Sequence, residues 1–211
     1  ILSLDHYNFK KFEILIVDDC STDGSQELIK KNFGLRKNFK TFFHHKNMGK
    51  GAAIKTAKNF FTGDIVIIQD ADLEYDPDDY DQLLKPILNE KFKVVYGSRV
   101  LNQNRYGTSG FTSKIRIFGN HILTIISNFM NNQKLTDAHT CYKVLHKDVF
   151  NSISLEENDF AFCPEITSKI ARLHYEILEV PISYNGRSYE EGKKIKVIDA
   201  FRALKTLIKY R

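Results

Sequence analysis

A short apolar run that ends in carboxylates constrains the fold of this chain more than any other stretch. Residues 65–68 read Ile-Val-Ile-Ile and are followed by Asp70, Asp72, Glu74 and Pro77. The length and β-branched content of the run predict a strand buried on both faces. Asp70 and Asp72 are two residues apart, so in an extended chain they point to the same side, about 6.6 Å apart at the α-carbons. Oxygen ligands in that position suit Mg²⁺ or Mn²⁺, with Glu74 within reach.

The same acids also have an ordinary structural interpretation. Acidic residues and proline are common in the loop after a strand, and Asp76-Pro77 is typical of the first turn of a helix. On this stretch alone, metal binding and helix capping both stay possible.

Further strands and helices alternate along the chain. Besides the run at 65–68, the pattern predicts strands at residues 13–17, 39–44 and 93–99, and helices at residues 26–32, up to residue 61, and at 80–88. Strands that alternate with helices at such intervals predict an α/β fold, with a mostly parallel sheet and helices on both faces.

Two other strand ends carry residues that could bind a ligand. Asp18 and Asp19 follow the strand at 13–17, at the sheet edge where a nucleoside base or ribose could donate hydrogen bonds to them. Gly49 and Gly51 flank Lys50 before a helix, where the backbone could pass close to an anion. A tight turn would explain the glycines equally well, and the spacing is not that of a P-loop.

Two amphipathic helices are predicted in the second half of the chain. The helix at 113–130 has an apolar stripe, and the helix at 194–211 has another, with lysines and arginines mostly off it. The stripes consist of Ile115, Phe118, Ile122, Ile125, Ile126 and Phe129, and of Ile195, Ile198, Phe201, Leu204, Leu207 and Ile208. Core packing is the first interpretation of both stripes, and a membrane surface is the second. Residues 101–112 between the fourth strand and the first of these helices predict a loop that could act as a lid.

Composition narrows the class of protein. With 211 residues, 42% of them hydrophobic, the chain is long enough for one domain with a sizeable core. Its three cysteines lack a C-x-x-C pair, which argues against a disulfide framework or a zinc site. The net charge of +5 is mild and no nucleic-acid-binding motif accompanies it. No signal peptide or membrane-spanning run is present, which predicts a cytoplasmic protein that could be peripheral on the inner face of the membrane.

Two segments near the end of the chain are too particular to be generic. Residues 135–143 read Leu-Thr-Asp-Ala-His-Thr-Cys-Tyr-Lys, and residues 179–195 begin Glu-Val-Pro-Ile-Ser-Tyr and contain Arg-Ser-Tyr-Glu-Glu-Gly-Lys. Together with the two acid-tipped strands, they resemble the family 2 glycosyltransferases with a GT-A fold. The most similar branch is the dolichyl-phosphate or polyprenyl-phosphate sugar synthases. The resemblance runs over nearly the whole chain and implies one GT-A domain over residues 1–211.

The resemblance implies a reaction and a donor site. The reaction is inverting, metal-dependent transfer of a hexose from a nucleotide sugar, of the UDP-glucose or GDP-mannose type, to a polyprenyl phosphate. Val17 and Asp19 would contact the nucleoside. The diphosphate would be held through Mg²⁺ or Mn²⁺ by Asp70, Ala71 and Asp72, with Glu74 as a third metal ligand.

The resemblance also implies which residues contact the phosphates and the reacting sugar. Arg99, Arg187 and Lys193 would contact phosphates, and Asp137 would lie near the sugar. The implied catalytic residues are Asp72, Asp137, Arg187 and Lys193. A phosphate acceptor is largely ionised at pH 7, because its second pKa is about 6, so no strong general base is needed.

The chain departs from the family pattern in three places. Relatives begin with a strand of the type V-x-V-x-I-P-x-Y-N-E, and this chain starts after it, which predicts a fragment that lacks the family's first strand. His139 stands at a position where relatives have glutamate. Cys163, which precedes Pro164-Glu165, stands at a second position where glutamate is common in relatives. Two alternatives follow: a family 2 transferase with a saccharide acceptor, which needs a general base, or an inactive fragment that only binds nucleotide.

Overall fold

The structure, a computed structural model, describes residues 12–101, 111–186 and 197–211. Its contacts divide the chain into two compact units. The first contains the described residues of Ile1–Asp64 together with Leu155–Phe162, and the second contains those of Ile65–Ser154 and Cys163–Arg211. The single domain expected over residues 1–211 stays a prediction.

The first unit is built from two parallel strands and the helices that follow them. Strand β1 (Ile14–Asp18) pairs with β2 (Phe39–Phe43), with Ile14 opposite Phe39. Helix α1 (Ser25–Phe33) connects the two strands and contacts β2, and α2 (Lys50–Lys58) contacts β1. The predicted strand–helix–strand order is confirmed here, because parallel neighbours need a crossover that a helix supplies.

The second unit contains a four-stranded sheet. Its strands are β3 (Ile65–Ile67), β4 (Val94–Ser98), β5 (Lys143–His146) and β6 (Ile177–Pro181), in the order β3-β5-β4-β6. Strands β4 and β6 are parallel, and β5 runs antiparallel to both β3 and β4. Three of the four strands therefore point the same way, which confirms a mostly parallel α/β fold with one reversed strand.

The most buried strand is not the one that the apolar run suggested. All five residues of β4 are buried, whereas the three residues of β3 are half-buried. Among the described residues, β3 pairs with β5 alone. The reversed strand β5 lies between β3 and β4, and β4 lies between β5 and β6, so β4 and β5 are the two interior strands of this sheet. The expectation that residues 65–68 are buried on both faces is therefore wrong for β3, and only Ile68 beyond it is buried.

The helices of the second unit follow its strands. They are α3 (Tyr80–Leu88), α4 (Phe111–Asn131), α5 (Lys147–Ser152), α6 (Phe162–Arg172) and α7 (Val197–Lys209). The predicted bounds of α3 are confirmed, and Leu83, Leu84 and Ile87 are its buried stripe. Pro86 lies in the last turn and the helix continues past it to Leu88. The side chain of Asp76 accepts a hydrogen bond from the Asp78 N–H, which confirms the capping interpretation of Asp76-Pro77.

Helix α4 buries the opposite face from the one that its sequence suggested. Phe118, Ile122, Ile125 and Phe129 are exposed, and Phe129 is 84% exposed. Thr124 and Ser127 are the buried residues on the other side. These hydroxyls find partners, since Thr124 donates to the carbonyl of Asn120 at 2.8 Å. Core packing of the predicted apolar stripe is therefore wrong for these four residues.

Helix α7 packs against α4 through a mixed face. Ala203, Thr206, Leu207 and Tyr210 are buried, whereas Phe201 and Ile208 are exposed. Of the predicted stripe, Leu207 alone is buried among the residues whose side chains are described; Ile195 and Ile198 lie outside them. In the described part of the chain, no helix combines the length and the apolar character that crossing a bilayer requires. Cys20, Cys141 and Cys163 are free thiols.

Candidate functional site

The turn after β3 carries the predicted metal ligands Asp70 and Asp72. Both residues are half-buried, and Ala71 between them is exposed. Asp72 Oδ1 accepts a hydrogen bond from the Glu74 N–H at 3.2 Å. Leu73 adopts the left-handed conformation at φ 59° and is 91% exposed. Because a non-glycine residue enters that region at a cost, the surrounding structure holds this turn in a defined shape.

Glu74 connects this turn to the segment after β6. Its carboxylate is buried and accepts a hydrogen bond from the Tyr184 hydroxyl at 3.0 Å, and its carbonyl accepts one from the Asn185 N–H at 2.9 Å. Residues 184–185 therefore lie beside the Asp70–Asp72 turn. The predicted phosphate contacts Arg187 and Lys193 follow this segment, and both lie outside the described residues.

Of the three predicted metal ligands, Asp70 and Asp72 fit a metal site better than Glu74 does. Nowhere in the described ranges are three His, Cys, Asp or Glu side chains grouped so that they could hold a metal ion by themselves. Glu74 has its carboxylate engaged with Tyr184, which favours a structural role for it. Mg²⁺ and Mn²⁺ sites of nucleotide enzymes use one or two carboxylates plus the phosphates of the substrate. Asp70 and Asp72 supply that number of oxygen donors, so they fit such an ion.

Arg99 and Asp137 form a buried, two-pronged ion pair. Arg99 donates from Nε to Asp137 Oδ2 at 2.7 Å and from Nη2 to Oδ1 at 2.8 Å, and its backbone N–H donates to Oδ2 at 3.2 Å. Burial alone would raise the pKa of Asp137, but the charge and hydrogen bonds of Arg99 outweigh it and hold that pKa at about 2. A carboxylate with so low a pKa is a weak general base at neutral pH.

Glu179 holds the segment that carries Asp137, a role that the sequence did not reveal. Its carboxylate accepts from the backbone N–H groups of Thr136 at 2.6 Å and of Asp137 at 2.8 Å. Burial raises the pKa of Glu179, against those hydrogen bonds. The available signal was a single acid in the otherwise apolar run of residues 177–181, which forms β6 and places Glu179 opposite Tyr96 of the buried strand β4.

An aromatic side chain joins the ion pair to the Asp70–Asp72 turn. The guanidinium carbon of Arg99 lies 5.1 Å from the centre of the Tyr184 ring, within the range of a cation–π contact. Tyr184 also donates to Glu74. The structure therefore brings the carboxylates after β3 and the cation after β4 to one region of the second unit.

The predicted nucleoside contacts, Val17 and Asp19, lie in the first unit. Val17 is half-buried in β1 opposite Phe42. Asp19 accepts hydrogen bonds from the backbone N–H groups of Met48 at 2.9 Å and Gly49 at 2.7 Å. Its Oδ1 also lies 2.6 Å from His44 Nδ1. Burial alone would raise the pKa of Asp19, and these hydrogen bonds lower it below its ordinary value. Asp19 thus anchors the glycine turn from within the protein.

Gly49 and Gly51 serve the packing of the chain against itself. A side chain at Gly49 would come within 2.4 Å of the Asn158 carbonyl oxygen, and one at Gly51 within 2.3 Å of the Glu157 carbonyl oxygen. Gly49 also has φ +96°, which favours glycine. The close backbone approach expected there is therefore made by residues 157–158, and an anion site at this turn stays a prediction.

His139, one of the three departures from the family pattern, is neutral at physiological pH. Burial lowers its pKa to about 4, and the neighbouring Lys143 contributes in the same direction. Within the described structure its buried Nε2 has no hydrogen-bond partner. Where relatives are expected to have a negative charge, this chain therefore has an uncharged ring beside Asp137.

Relatives of known name match most of the chain. It is 27% identical over 193 residues to a dolichyl-phosphate beta-glucosyltransferase of Trichomonas vaginalis, covering 88% of this chain and 57% of the relative. It is 26% identical over 223 residues to the UDP-N-acetylglucosamine–dolichyl-phosphate N-acetylglucosaminyltransferase of Methanococcus voltae, covering 98% of this chain and 87% of the relative. The chain thus spans little more than half the length of the first of these proteins.

A solved structure shares the fold. Glucosyl-3-phosphoglycerate synthase from Mycobacterium tuberculosis, crystallised with Mn²⁺, UDP and glucosyl-3-phosphoglycerate, superposes with a TM-score of 0.66 at 16% identity. The superposition covers 94% of this chain and 68% of that chain, which confirms the GT-A fold. The family model for Glycosyl transferase family 2 matches residues 1–154. Because that match extends over well more than half of its 211 residues, this chain belongs to glycosyl transferase family 2.

Proposed function

We propose that this chain transfers a hexose from a nucleotide-diphosphate sugar to a polyprenyl phosphate, with a divalent metal and with inversion at the sugar carbon. The observation that carries the proposal is the pairing of Asp137 with Arg99 beside the Asp70–Asp72 turn, since it combines a donor site with a poor general base. The similarity to two dolichyl-phosphate transferases supports the same acceptor class.

The donor would bind at the turn after β3. Asp70 and Asp72 would hold Mg²⁺ or Mn²⁺ together with the diphosphate oxygens, and the ion, when bound, offsets the charge that builds on the leaving diphosphate. The Mn²⁺ and UDP in the solved synthase support this choice of ion and of ligand class. Arg187 and Lys193 would add positive charge to the same diphosphate.

The acceptor follows from the state of Asp137. A sugar hydroxyl must lose a proton as it attacks, so a saccharide acceptor requires a general base. Asp137 has a pKa of about 2 and is bound to Arg99, which makes it unsuited to that task. A phosphate monoester has a second pKa of about 6 and brings its own nucleophilic oxygen. Attack in line with the leaving diphosphate then inverts the sugar carbon.

Arg99 would act mainly by positioning. Its guanidinium is tied to both oxygens of Asp137 and lies over Tyr184, so its plane is fixed. A fixed guanidinium can orient a phosphate without losing side-chain entropy on binding. Glu179 would support this indirectly, because it holds the backbone of Asp137.

Transfer of radiolabelled sugar tests the proposal. The full chain, Mn²⁺ and a polyprenyl phosphate are incubated with labelled UDP-glucose or GDP-mannose, and label is counted in an organic extract and in water-soluble glycan. Organic-extractable label that disappears with EDTA is the expected result. The Asp72→Ala variant should lose about a hundredfold or more of the rate, whereas Asp78→Ala, an exposed acid of the following turn, should keep it. Turnover that survives removal of the metal contradicts the mechanism.

The same assay separates the two alternatives. Label in water-soluble glycan instead of the lipid fraction would identify a saccharide acceptor. A chain that binds UDP or GDP with Mn²⁺ in calorimetry, yet transfers no label to either acceptor, would be a nucleotide-binding fragment. The organic-extractable product is therefore the decisive readout.

A further inference from the structure

Helix α4 exposes apolar side chains that have no place on a fully solvated surface. Phe118, Ile122, Ile125 and Phe129 recur at four- and three-residue spacing, which places them on one face, and they are 41–84% exposed. The buried side of the helix carries Thr124 and Ser127 instead. A helix that buries hydroxyl groups and exposes phenyl rings has an apolar face that is typical of an interaction surface.

The neighbouring helix α7 repeats the arrangement and adds positive charge. Phe201 is 67% exposed and Ile208 is 63% exposed, while the opposite side of α7 is buried and the helix contacts α4. Lys205, between these two residues on the same face, is exposed. Basic side chains with long apolar stems suit a surface that is apolar inside and anionic outside.

The charges in the last twelve residues are all positive, although the first turn of α7 also contains Asp199. Residues 118–131 contain no Asp, Glu, Lys or Arg, and residues 200–211 contain four Lys or Arg and no Asp or Glu. The four basic residues are Arg202, Lys205, Lys209 and Arg211. Four basic residues against one acid in residues 199–211 leave an excess of positive charge, which is complementary to an anionic lipid surface.

We infer that the exposed faces of α4 and α7 rest on an anionic lipid bilayer, with Phe118, Ile122, Ile125, Phe129, Phe201 and Ile208 in the headgroup boundary. Each Lys or Arg near such a surface strengthens binding about fivefold. The inference rests in part on the proposed function, because a polyprenyl phosphate resides in a bilayer, and it assigns the face of the enzyme that meets that bilayer.

Vesicle flotation tests the inference without any measurement of activity. The chain is mixed with vesicles of phosphatidylcholine and phosphatidylserine, or of phosphatidylcholine alone, and the bound fraction is measured. We expect binding to the anionic vesicles and weaker binding to the neutral ones. The double variant Ile125→Ser and Phe129→Ser should lose about tenfold or more of the binding.

Matched variants control for general changes of the surface. Leu28→Ser with Leu35→Ser removes two exposed apolar side chains from the first unit, at 60% and 103% exposure, and should leave binding unchanged. Lys205→Glu with Arg211→Glu should abolish the preference for anionic vesicles. Lys31→Glu with Lys37→Glu makes the same change of net charge in the first unit and should reduce binding far less. Thermal melts of all variants confirm that each is folded.

Other occupants of the face give different results. If the chain fails to float and forms a dimer in light scattering that Phe129→Ser disrupts, the face covers a second copy and the inference is wrong. Equal loss of binding in the Leu28 and Leu35 control would also overturn it.

The transfer assay separates a failure of docking from a failure of the proposed reaction. Transfer to a short polyprenyl phosphate dispersed in detergent should be the same for the wild-type chain and for Ile125→Ser with Phe129→Ser. Flotation without any transfer by the wild-type chain would leave docking in place and refute the proposed reaction. Transfer by the wild-type chain without flotation would support the proposed reaction and refute docking on a bilayer.

Discussion

At the scale of single residues, the candidate site is defined by the hydrogen bonds and ion pairs of its buried charged side chains. Asp137 and Arg99 satisfy one another, and Lys143, which is fully buried, donates to the carbonyls of Ala138 at 3.2 Å and Thr140 at 2.6 Å. Each buried charge of this region is therefore compensated by a bond that the fold supplies. Removing one partner leaves the other charge buried and uncompensated, which lowers the free energy of unfolding.

Asp137→Asn should destabilise the protein strongly. Removing the negative charge leaves the buried Arg99 without its ion-pair partner, and breaking a buried pair from one side costs about 3–5 kcal/mol. The free energy of unfolding in urea measures this loss. Asp148→Asn, which removes the exposed partner of Lys93, is the matched control and should change stability little. Equal effects of the two variants would contradict the buried pair.

The low pKa of Asp137 also predicts how stability depends on pH. The folded-state pKa of about 2 lies below the ordinary value of 3.8, so the ion pair contributes stability above about pH 4. That contribution is lost as the pH falls from about 4 toward 2. The difference in unfolding free energy between the wild-type chain and Asp137→Asn should therefore shrink over that range. A difference that stays constant down to about pH 2 would show that Asp137 titrates normally.

His44→Ala should loosen Asp19. The Asp19 carboxylate can only accept, so His44 Nδ1 donates to it, and Nε2 lies 2.9 Å from the Thr56 hydroxyl. A lost hydrogen bond to a charged group costs about 1–3 kcal/mol in unfolding free energy. His45→Ala alters the exposed neighbour and should cost far less. If the two variants melt alike, the link between β2 and the loop at Asp19 is not stabilising.

At the scale of whole elements, packing decides between two interpretations of the glycines before α2. The sequence alone is consistent with either a ligand-binding turn or a tight turn at these glycines. In the structure their missing side chains make room for the backbone of residues 157–158, which come from a distant part of the chain. Lys55 reinforces that contact, since Nζ donates to the Glu156 carbonyl at 2.8 Å.

The same substitution should have opposite effects in two helices. Gly51→Ala places a methyl group against the Glu157 carbonyl oxygen and should destabilise the protein by about 1–3 kcal/mol. Gly119→Ala in α4 meets nothing within 4 Å and should stabilise by about 0.5–1 kcal/mol, because alanine is the better helix former. Urea denaturation of both variants measures the two signs. Destabilisation by both would show that α4 is more crowded than its contacts indicate.

At the scale of the whole molecule, ligand binding should be visible in stability. A ligand that binds the folded state alone, at about one hundred times its dissociation constant, stabilises by about 2.7 kcal/mol. UDP or GDP with Mn²⁺ should therefore raise the melting temperature, and Mn²⁺ should add little without the nucleotide. Asp70→Ala with Asp72→Ala should remove the metal-dependent part of the shift.

The control for that measurement keeps the number of charges removed the same. Asp78→Ala with Asp81→Ala removes two exposed acids near the same turn and should leave the shift intact. If the control loses the shift as well, simple electrostatics explains the effect and Asp70 and Asp72 are not specific ligands.

Local patterns determined the elements and the order of the motifs in this protein. The apolar runs located strands β1 to β4, and the three- and four-residue spacing of leucines and isoleucines located α3 with its buried stripe. These features depend on neighbours within one or two turns, so they can be read along the chain. Asp70 and Asp72 were recognisable for the same reason, since their spacing alone places them on one side of an extended segment.

Only the tertiary structure decided what each face meets. Strand β5 lies between β3 and β4, Glu179 reaches the backbone of Asp137, and the apolar stripe of α4 faces outward. Periodicity shows that a helix has an apolar face, but not which surface covers it. The sequence around Asp137 likewise carries no sign that an arginine 38 residues away will pair with it. Such contacts join residues far apart in sequence, and packing alone brings them together.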